Sequence, residues 1–276
     1  MSAEGSRAQE LLALTAGIRG DPLASAILCD IDGTLAPIAD DPEEAGVPAE
    51  ARQLLRSLAA RYGLVGCISG RRASAARRIV GLDELHYAGN HGLETLGPGE
   101  VEPRLDPALA HRGGAARACV DRLDQRMLEQ VGLRAEDKGP IQALHWRAAS
   151  DEELAESRAH EIAKLVEREG LVPHFGRKVL EIRPVDGIHK GSAVRGLLAD
   201  RDGISAGLYA GDDRTDLDAF RALRSMADAG ELKEVLCVGV GSSEAPRGLA
   251  EDADVVVEGT DGFLEVLRTL DDGTAT

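Results

Sequence analysis

Short apolar runs alternate with helix-like segments at both ends of this 276-residue chain, and that alternation leaves few folds open. The first part holds "AILCDID", "LVGCISG" and "LHYAGNHG"; the last holds "GLYAGDD", "EVLCVGVG" and "ADVVVEG". Each is short, aliphatic and bounded by turn formers, which is the pattern of a buried strand. Between them lie "PAEARQLLRSLAARYG", "RASAARRIVG", "HKGSAVRGLLADR" and "RTDLDAFRALRSMADAG", and "DGFLEVLRTL" follows the last strand. These read as helices; the first has Pro48 near its start and Gly63 after its end. Strands that are apolar throughout and separated by helices belong to a sheet covered on both faces. The expected fold class is therefore α/β, with a doubly wound, mostly parallel, Rossmann-like sheet.

The middle breaks the alternation. "DPALAHRGGAARACVDRLDQRMLEQVG" reads as a long helix loosened at Gly113-Gly114, and "LRAEDKG" with "PIQALHWRA" as a hairpin turning at Lys138-Gly139-Pro140. "DEELAESRAHEIAKLVEREG" reads as an amphipathic helix capped by Ser150 and ended by Gly170, and "LVPHFGR" with "KVLEIRP" as a second hairpin. This is a small α+β unit, expected at 98–187 as an insertion into a core made of 1–97 and 188–276. Linkers around Leu96-Gly97-Pro98-Gly99 and Pro184-Val185-Asp186-Gly187 are expected to let the insertion open for substrate and close against water.

Composition narrows the partners. With 43% hydrophobic and 29% charged residues the chain is globular rather than disordered. It has no run of about eighteen apolar residues, so no membrane span is expected. The amphipathic start "MSAEGSRAQELLALTAGIRGDP" lacks the basic head and apolar centre of a signal peptide, and a cytoplasmic location is expected. Cys29, Cys67, Cys119 and Cys237 form no C-x-x-C pair and read as small buried hydrophobes. A formal net charge of −16 argues against nucleic acid as a partner. It also means that an anionic substrate must be held by local cations.

The chemistry lies at the strand ends. In open α/β sheets ligands sit beyond the carboxyl ends of the strands. The first strand runs into Asp30-Ile31-Asp32-Gly33-Thr34, the second into Ser69-Gly70-Arg71, and a later one into Gly211-Asp212-Asp213 with Asp216 following; Lys190 opens a helix after the insertion. Asp30 and Asp212 can offer oxygens to Mg²⁺, a hard ion that takes a few carboxylates and keeps waters. The free oxygen of Asp30 is then a nucleophile for phosphorus. Asp32, beside ionised carboxylates, is expected to have a raised pKa and to serve as acid and then base. Ser69, the Gly70 amide and Lys190 are expected to hold the phosphoryl oxygens. D-x-D alone is a weak signal; the four elements in this order are a strong one.

These motifs, "DIDGTL", "SGR", "HKG" and "GDDRTD", resemble those of the haloacid dehalogenase (HAD) superfamily of phosphohydrolases, and the insertion resembles its type IIB cap. "DIDGTLAPIADDPEEAGVP", "GNHGLE", "EDKGPIQALHWR", "LEIRP" and "GDDRTDLDAF" are similar to the trehalose-6-phosphate phosphatases. The resemblance implies Mg²⁺-dependent hydrolysis of trehalose 6-phosphate through an aspartyl-phosphate on Asp30, in trehalose biosynthesis. It implies the Asp32 carbonyl as a further metal ligand, and Asp213 and Asp216 as metal-shell or lysine-positioning residues. Arg71, Glu136, Lys138 and Glu181 become expected substrate contacts, and the protein a monomer acting on a small sugar phosphate. Two departures stand out: Trp146 where tyrosine is usual, and His189 where asparagine is common, both expected to bear on sugar contacts.

Plainer readings stand beside these. Asp213 and Asp216 are also what a helix start favours. His91 serves a turn as readily as a substrate. His145 and Arg147, two apart on a predicted strand, share a face that solvent alone would explain, and Glu136 with Lys138 could be a surface pair. Glu181 sits in an otherwise apolar strand, which favours function. "DDPEE" reads as a solvated loop. Alternative functions are a related phosphatase for sucrose phosphate, mannosyl- or glucosyl-3-phosphoglycerate or a monosaccharide phosphate, and a non-catalytic sugar-phosphate sensor or receiver. A receiver needs neither Asp32 nor a cap, and a degenerate sensor would have lost Asp30, Lys190 or Asp212.

Overall fold

The structure is a computed structural model that describes residues 3–38, 46–105, 114–176, 178–184, 187–199, 201–242, 245–246 and 248–272. The chain divides into two compact units, Met1–Arg104 with Ile188–Thr276, and Leu105–Gly187. Residues 98–104 thus belong with the first unit. The acidic run at 40–44, the Gly113 end of the expected long helix, and Val185 with Asp186 of the second linker lie outside the described residues.

The first unit is built on strands β1 (Ser25–Cys29), β2 (Leu64–Ile68), β3 (His86–Gly89), β4 (Glu94–Leu96) and β5 (Arg104–Leu105). Its later strands are β10 (Ala206–Gly211), β11 (Glu234–Gly241) and β12 (Val255–Glu258). They form one sheet in the order β12-β11-β10-β1-β2-β3-β4-β5, parallel from β12 to β3, with β4 antiparallel to β3. After β1 the chain builds outward on one side to β5, and on its return lays β10 against the other side of β1. The strand order therefore reverses between β1 and β10, which is where such sheets bind ligands.

All five residues of β1 are buried because both faces of the sheet are covered. Ile27 and Cys29 point into a core with Leu55 and Leu58 of α3 (Ala49–Ala59), Val80 of α4 (Ala73–Val80) and Phe263 of α11 (Gly259–Asp271). Ala26 and Leu28 point into another with Val194 of α8 (Lys190–Ala199) and Phe220 of α9 (Asp216–Asp228). The period-two alternation of a strand feeds two layers at once. Burying each large aliphatic chain contributes about 1.5–3 kcal/mol, so a charge at Leu28 would undo this face. α1 (Ala3–Leu14) and α2 (Ala16–Gly20) contribute Leu11 and Ile18 to the first core, and α10 (Leu249–Asp252) contributes Leu249 to the second.

The second unit carries α5 (Ala115–Asp121), α6 (Gln125–Val131) and α7 (Glu152–Arg168), with a sheet ordered β6-β7-β9-β8. Its strands are β6 (Arg134–Asp137), β7 (Gln142–His145), β8 (Val172–Gly176) and β9 (Val179–Arg183), all antiparallel. Leu144, Trp146, Leu180 and Ile182 face the helices. Three expectations are corrected here. Within the described residues the expected long helix is interrupted at Arg122–Asp124, because the Asp124 carboxylate accepts the N–H groups of Arg126 and Met127 and starts a new helix. The N-cap of α7 is Asp151 and not Ser150. Arg147 lies in an exposed turn beyond β7, so it shares no strand face with His145.

Candidate active site

β1 ends at Cys29, one residue short of the first aspartate, and the Asp30 N–H still reaches the Ala210 carbonyl of β10 at 2.9 Å. Asp30 is therefore fixed by the sheet while its side chain stands at the sheet's carboxyl edge. The next turn is closed by three N–H groups, of Thr34, Leu35 and Ala36, on the Ile31 carbonyl. Gly33 takes a φ of +87°, and a Cβ there would lie 2.1 Å from an oxygen of Asp212, so only glycine fits. The Thr34 hydroxyl donates to the other Asp212 oxygen at 3.2 Å.

The structure brings Asp30, Asp212 and Asp216 together, each buried, with one oxygen of each within 4.8 Å of the others. Lys190, at the first position of α8, joins them: its Nζ is 2.9 Å from Asp30 Oδ1 and 2.7 Å from Asp216 Oδ1. Burial alone would lower the Lys190 pKa, but the Asp216 and Asp30 carboxylates outweigh it and hold the ammonium well above the ordinary lysine value. Burial likewise pushes Asp30 upward, against the pull of Lys190. Asp212 is pushed up to about 7 by burial and then by the Asp216 charge. When all three carboxylates are ionised they outnumber the one ammonium by two charges, with little water to screen them. That donor set of hard oxygens and that deficit fit one divalent cation.

Asp216 plays a different part from its two neighbours. Its Oδ1 accepts from Lys190 Nζ and from the Tyr209 hydroxyl at 2.6 Å, and its Oδ2 accepts the N–H groups of Asp212 at 3.0 Å and Asp213 at 2.9 Å. Four donors occupy it, so it holds Lys190 in place and is poorly available to a metal. Asp213 is exposed, with its carboxylate on the Arg214 N–H, and lies outside the cluster. Tyr209 carried no sequence signal of function, since a tyrosine in a buried strand reads as core.

Asp32 is paired with Arg71 in a bidentate contact, both bonds 2.7 Å. A guanidinium, not an ionised carboxylate, is what the structure shows against Asp32. The pair ties the turn after β1 to the turn after β2, and Arg71 is engaged with Asp32 rather than held out as a substrate hand alone. Ser69 is buried; its hydroxyl accepts the Arg71 N–H at 3.1 Å, and its own N–H reaches the Ala88 carbonyl. His91 is buried beside Gly70, in a turn where the expected third strand has already ended. His189 caps α8: its ring nitrogen accepts the Ser192 N–H at 3.3 Å, and the Ser192 hydroxyl donates to its carbonyl at 2.7 Å. The ring thus serves as a helix cap.

In the second unit, the face away from the helices carries a row in which Glu136, Ala143, Glu181 and His174 stand opposite one another on adjacent strands. Glu181 is buried and saturated: Oε1 accepts from Lys138 at 3.0 Å, and Oε2 from Arg183 at 2.7 and 3.1 Å. Arg183 was not singled out in the sequence, although an Arg two residues after Glu on one strand shares its face. Glu136 pairs with His145 at 2.7 Å, and that hydrogen bond lowers the Glu136 pKa. Trp146 is buried in the helix-side core with its ring edge-on to Phe175, so this departure fills the core.

The trehalose-phosphatase family model matches residues 28–253. Probable trehalose-phosphate phosphatase 9 of Oryza sativa subsp. japonica is 34% identical over 248 residues, covering 77% of this chain and 63% of that protein. Trehalose 6-phosphate phosphatase RA3 of Zea mays is 32% identical over 237 residues, covering 80% and 63%. The chain thus spans about 63% of the length of these relatives. Among solved structures, the C-terminal domain of the C. albicans trehalose-6-phosphate phosphatase has a TM-score of 0.77 at 22% identity, over 96% of this chain and 97% of that one, a likeness of fold. The family match runs from the strand that delivers Asp30 past the helix that Asp216 opens, and the chain belongs to the trehalose-phosphatase family.

Proposed function

We propose that this protein is a Mg²⁺-dependent phosphatase that converts trehalose 6-phosphate to trehalose and phosphate, in the cytoplasm and within trehalose biosynthesis. The observation that carries the reading is the cluster of three buried carboxylates around one lysine at the strand-order reversal, in a chain of this family. Four buried free cysteines support the location. Among the described residues no helix is long and apolar enough to cross a membrane.

Asp30 is the nucleophile. One oxygen stays with Lys190 while the other attacks phosphorus, giving an aspartyl-phosphate as the sugar oxygen leaves. Asp32 delivers the proton to that leaving oxygen and later takes one from the water that cleaves the acyl phosphate. For this, Arg71 must give up its hold on Asp32, at least in part. Ser69, the Gly70 amide and Lys190 hold the phosphoryl oxygens, with Asp216 keeping Lys190 aimed. Asp30, Asp212 and the Asp32 carbonyl would hold Mg²⁺, which supplies the charge that makes attack by a carboxylate on an anionic phosphate tolerable. In the second unit Glu136, Lys138 and Glu181 are the proposed partners of the disaccharide hydroxyls.

The test is phosphate release across a panel of sugar phosphates with and without Mg²⁺. Trehalose 6-phosphate should be the preferred substrate, and only with the ion. Efficient turnover of sucrose phosphate or a glycosyl-phosphoglycerate in its place would assign a different substrate to the same machinery.

A further inference from the structure

The turn Asn90-His91-Gly92 after β3 has a backbone that its composition does not require. Asn90 and His91 both adopt left-handed conformations, with φ of 50° and 60°. Successive non-glycine residues there are sterically costly, and such strain persists where the surroundings over-determine it. Asparagine and histidine tolerate the region better than most residues, but glycine would do so at less cost.

The turn's contacts suggest why glycine is not used. The Asn90 N–H donates to the Arg71 carbonyl at 2.8 Å and the His91 N–H to the Ser69 carbonyl at 3.0 Å, so the backbone is gripped on both sides of Gly70. The His91 ring lies against Gly70 itself: a Cβ there would sit 2.9 Å from Cε1 and 3.0 Å from Nε2. On the other side Gly92 packs on Ala193, in the first turn of the helix that Lys190 opens. Just beyond, the buried Glu94 carboxylate accepts the Ala73 N–H at 2.6 Å and fastens the start of α4, which follows the same loop.

We infer that the 90–92 turn is the positioning element of the phosphate-binding loop, with His91 the positioning residue that holds Ser69-Gly70 in register with the helix bearing Lys190. The inference rests on the phosphatase reading only for what the loop binds. His91 acts through Gly70 and through its own N–H. It need not touch the reacting atoms.

The test uses inorganic phosphate as the probe, by calorimetry with Mg²⁺ present, alongside kinetics and thermal unfolding. His91→Gly keeps a left-handed backbone accessible and removes the ring. It should weaken phosphate binding and lower kcat/KM, each by about tenfold, while the protein remains folded. Gly70→Ala should also weaken binding, because its methyl meets the ring. The double variant His91→Gly/Gly70→Ala should bind phosphate more tightly than either single one, since the methyl then fills the space the ring left. Recovery of phosphate affinity without a matching recovery of the thermal midpoint separates positioning from a purely structural role. Unaltered phosphate affinity in His91→Gly, a loss that merely tracks its thermal midpoint, or a double variant no better than the singles would overturn the inference. A parent protein that binds phosphate without hydrolysing trehalose 6-phosphate would remove the function proposed above and leave this inference intact; a parent that binds no phosphate would overturn both.

Discussion

Replacing Asp216 by asparagine removes one charge and almost no volume, and the structure fixes what must go wrong. The carboxylate accepts four hydrogen bonds, from Lys190, Tyr209 and the N–H groups of Asp212 and Asp213. An asparagine offers one acceptor oxygen and one NH₂. With the oxygen on the two backbone N–H groups, the NH₂ meets Tyr209, whose hydroxyl can turn to accept, and Lys190, whose ammonium cannot. Lys190 keeps only Asp30. Breaking a buried pair costs about 3–5 kcal/mol, and the retained Asp30 contact places the loss near the lower end, about 3 kcal/mol. The unfolding midpoint should fall by on the order of 10 °C. A displaced Lys190 ammonium should cost about a hundredfold in kcat, in line with misplacement by about an ångström. Mg²⁺ affinity, read by calorimetry, should be nearly unchanged, because Asp216 is occupied by its four donors. An Asp216→Asn protein of parental stability and rate would refute this reasoning. One that lost Mg²⁺ affinity while keeping its stability would make Asp216 a metal ligand.

Further outcomes follow from the same geometry. Tyr209→Phe deletes a single hydrogen bond to a charged acceptor and should cost about 1.5 kcal/mol in urea unfolding, with a smaller loss of kcat than Asp216→Asn. Asp212 titrates higher in the fold, at about 7, than in an unfolded chain, so its contribution is present at low pH and is lost as pH rises through that value. Metal-free protein should therefore lose stability between about pH 4 and pH 7, and Mg²⁺ should raise the unfolding midpoint more above that window than below it. Glu181→Ala leaves Lys138 and Arg183 facing each other without their carboxylate; KM for trehalose 6-phosphate should rise while hydrolysis of a small aryl phosphate is spared, and equal losses on both would contradict a sugar-binding role. Asp32→Asn should abolish most turnover yet retain Mg²⁺ binding, read by calorimetry.

Much of this architecture was legible before the structure. Strand alternation determines the sheet because a run such as Ile27–Cys29 has no other way to bury both faces, and the motif order places its loops at one edge. What periodicity could not show was where local chemistry overrides it. Asp124 starts a helix inside a longer helical pattern because a carboxylate can take two N–H groups there. The third strand stops at Gly89 because Asn90 and His91 turn left-handed, which a side-chain pattern does not record. Arg71 looked like a residue for substrate, and its pairing with Asp32 needs two loops far apart in sequence. Tyr209 escaped notice because it matters through the Asp216 carboxylate, which the turn after β10 brings back to it, whereas Arg183 shares a strand face with Glu181 and the i, i+2 spacing could have found it.

The central claim is that Asp30 carries the phosphoryl group, and the rate of phosphate release by Asp30→Asn tests it most directly. With Mg²⁺ and saturating trehalose 6-phosphate, the variant should be inactive to the limit of detection, while the parent turns over and, on acid quench, yields a phosphorylated peptide containing Asp30. Parental turnover by the folded variant would contradict the account.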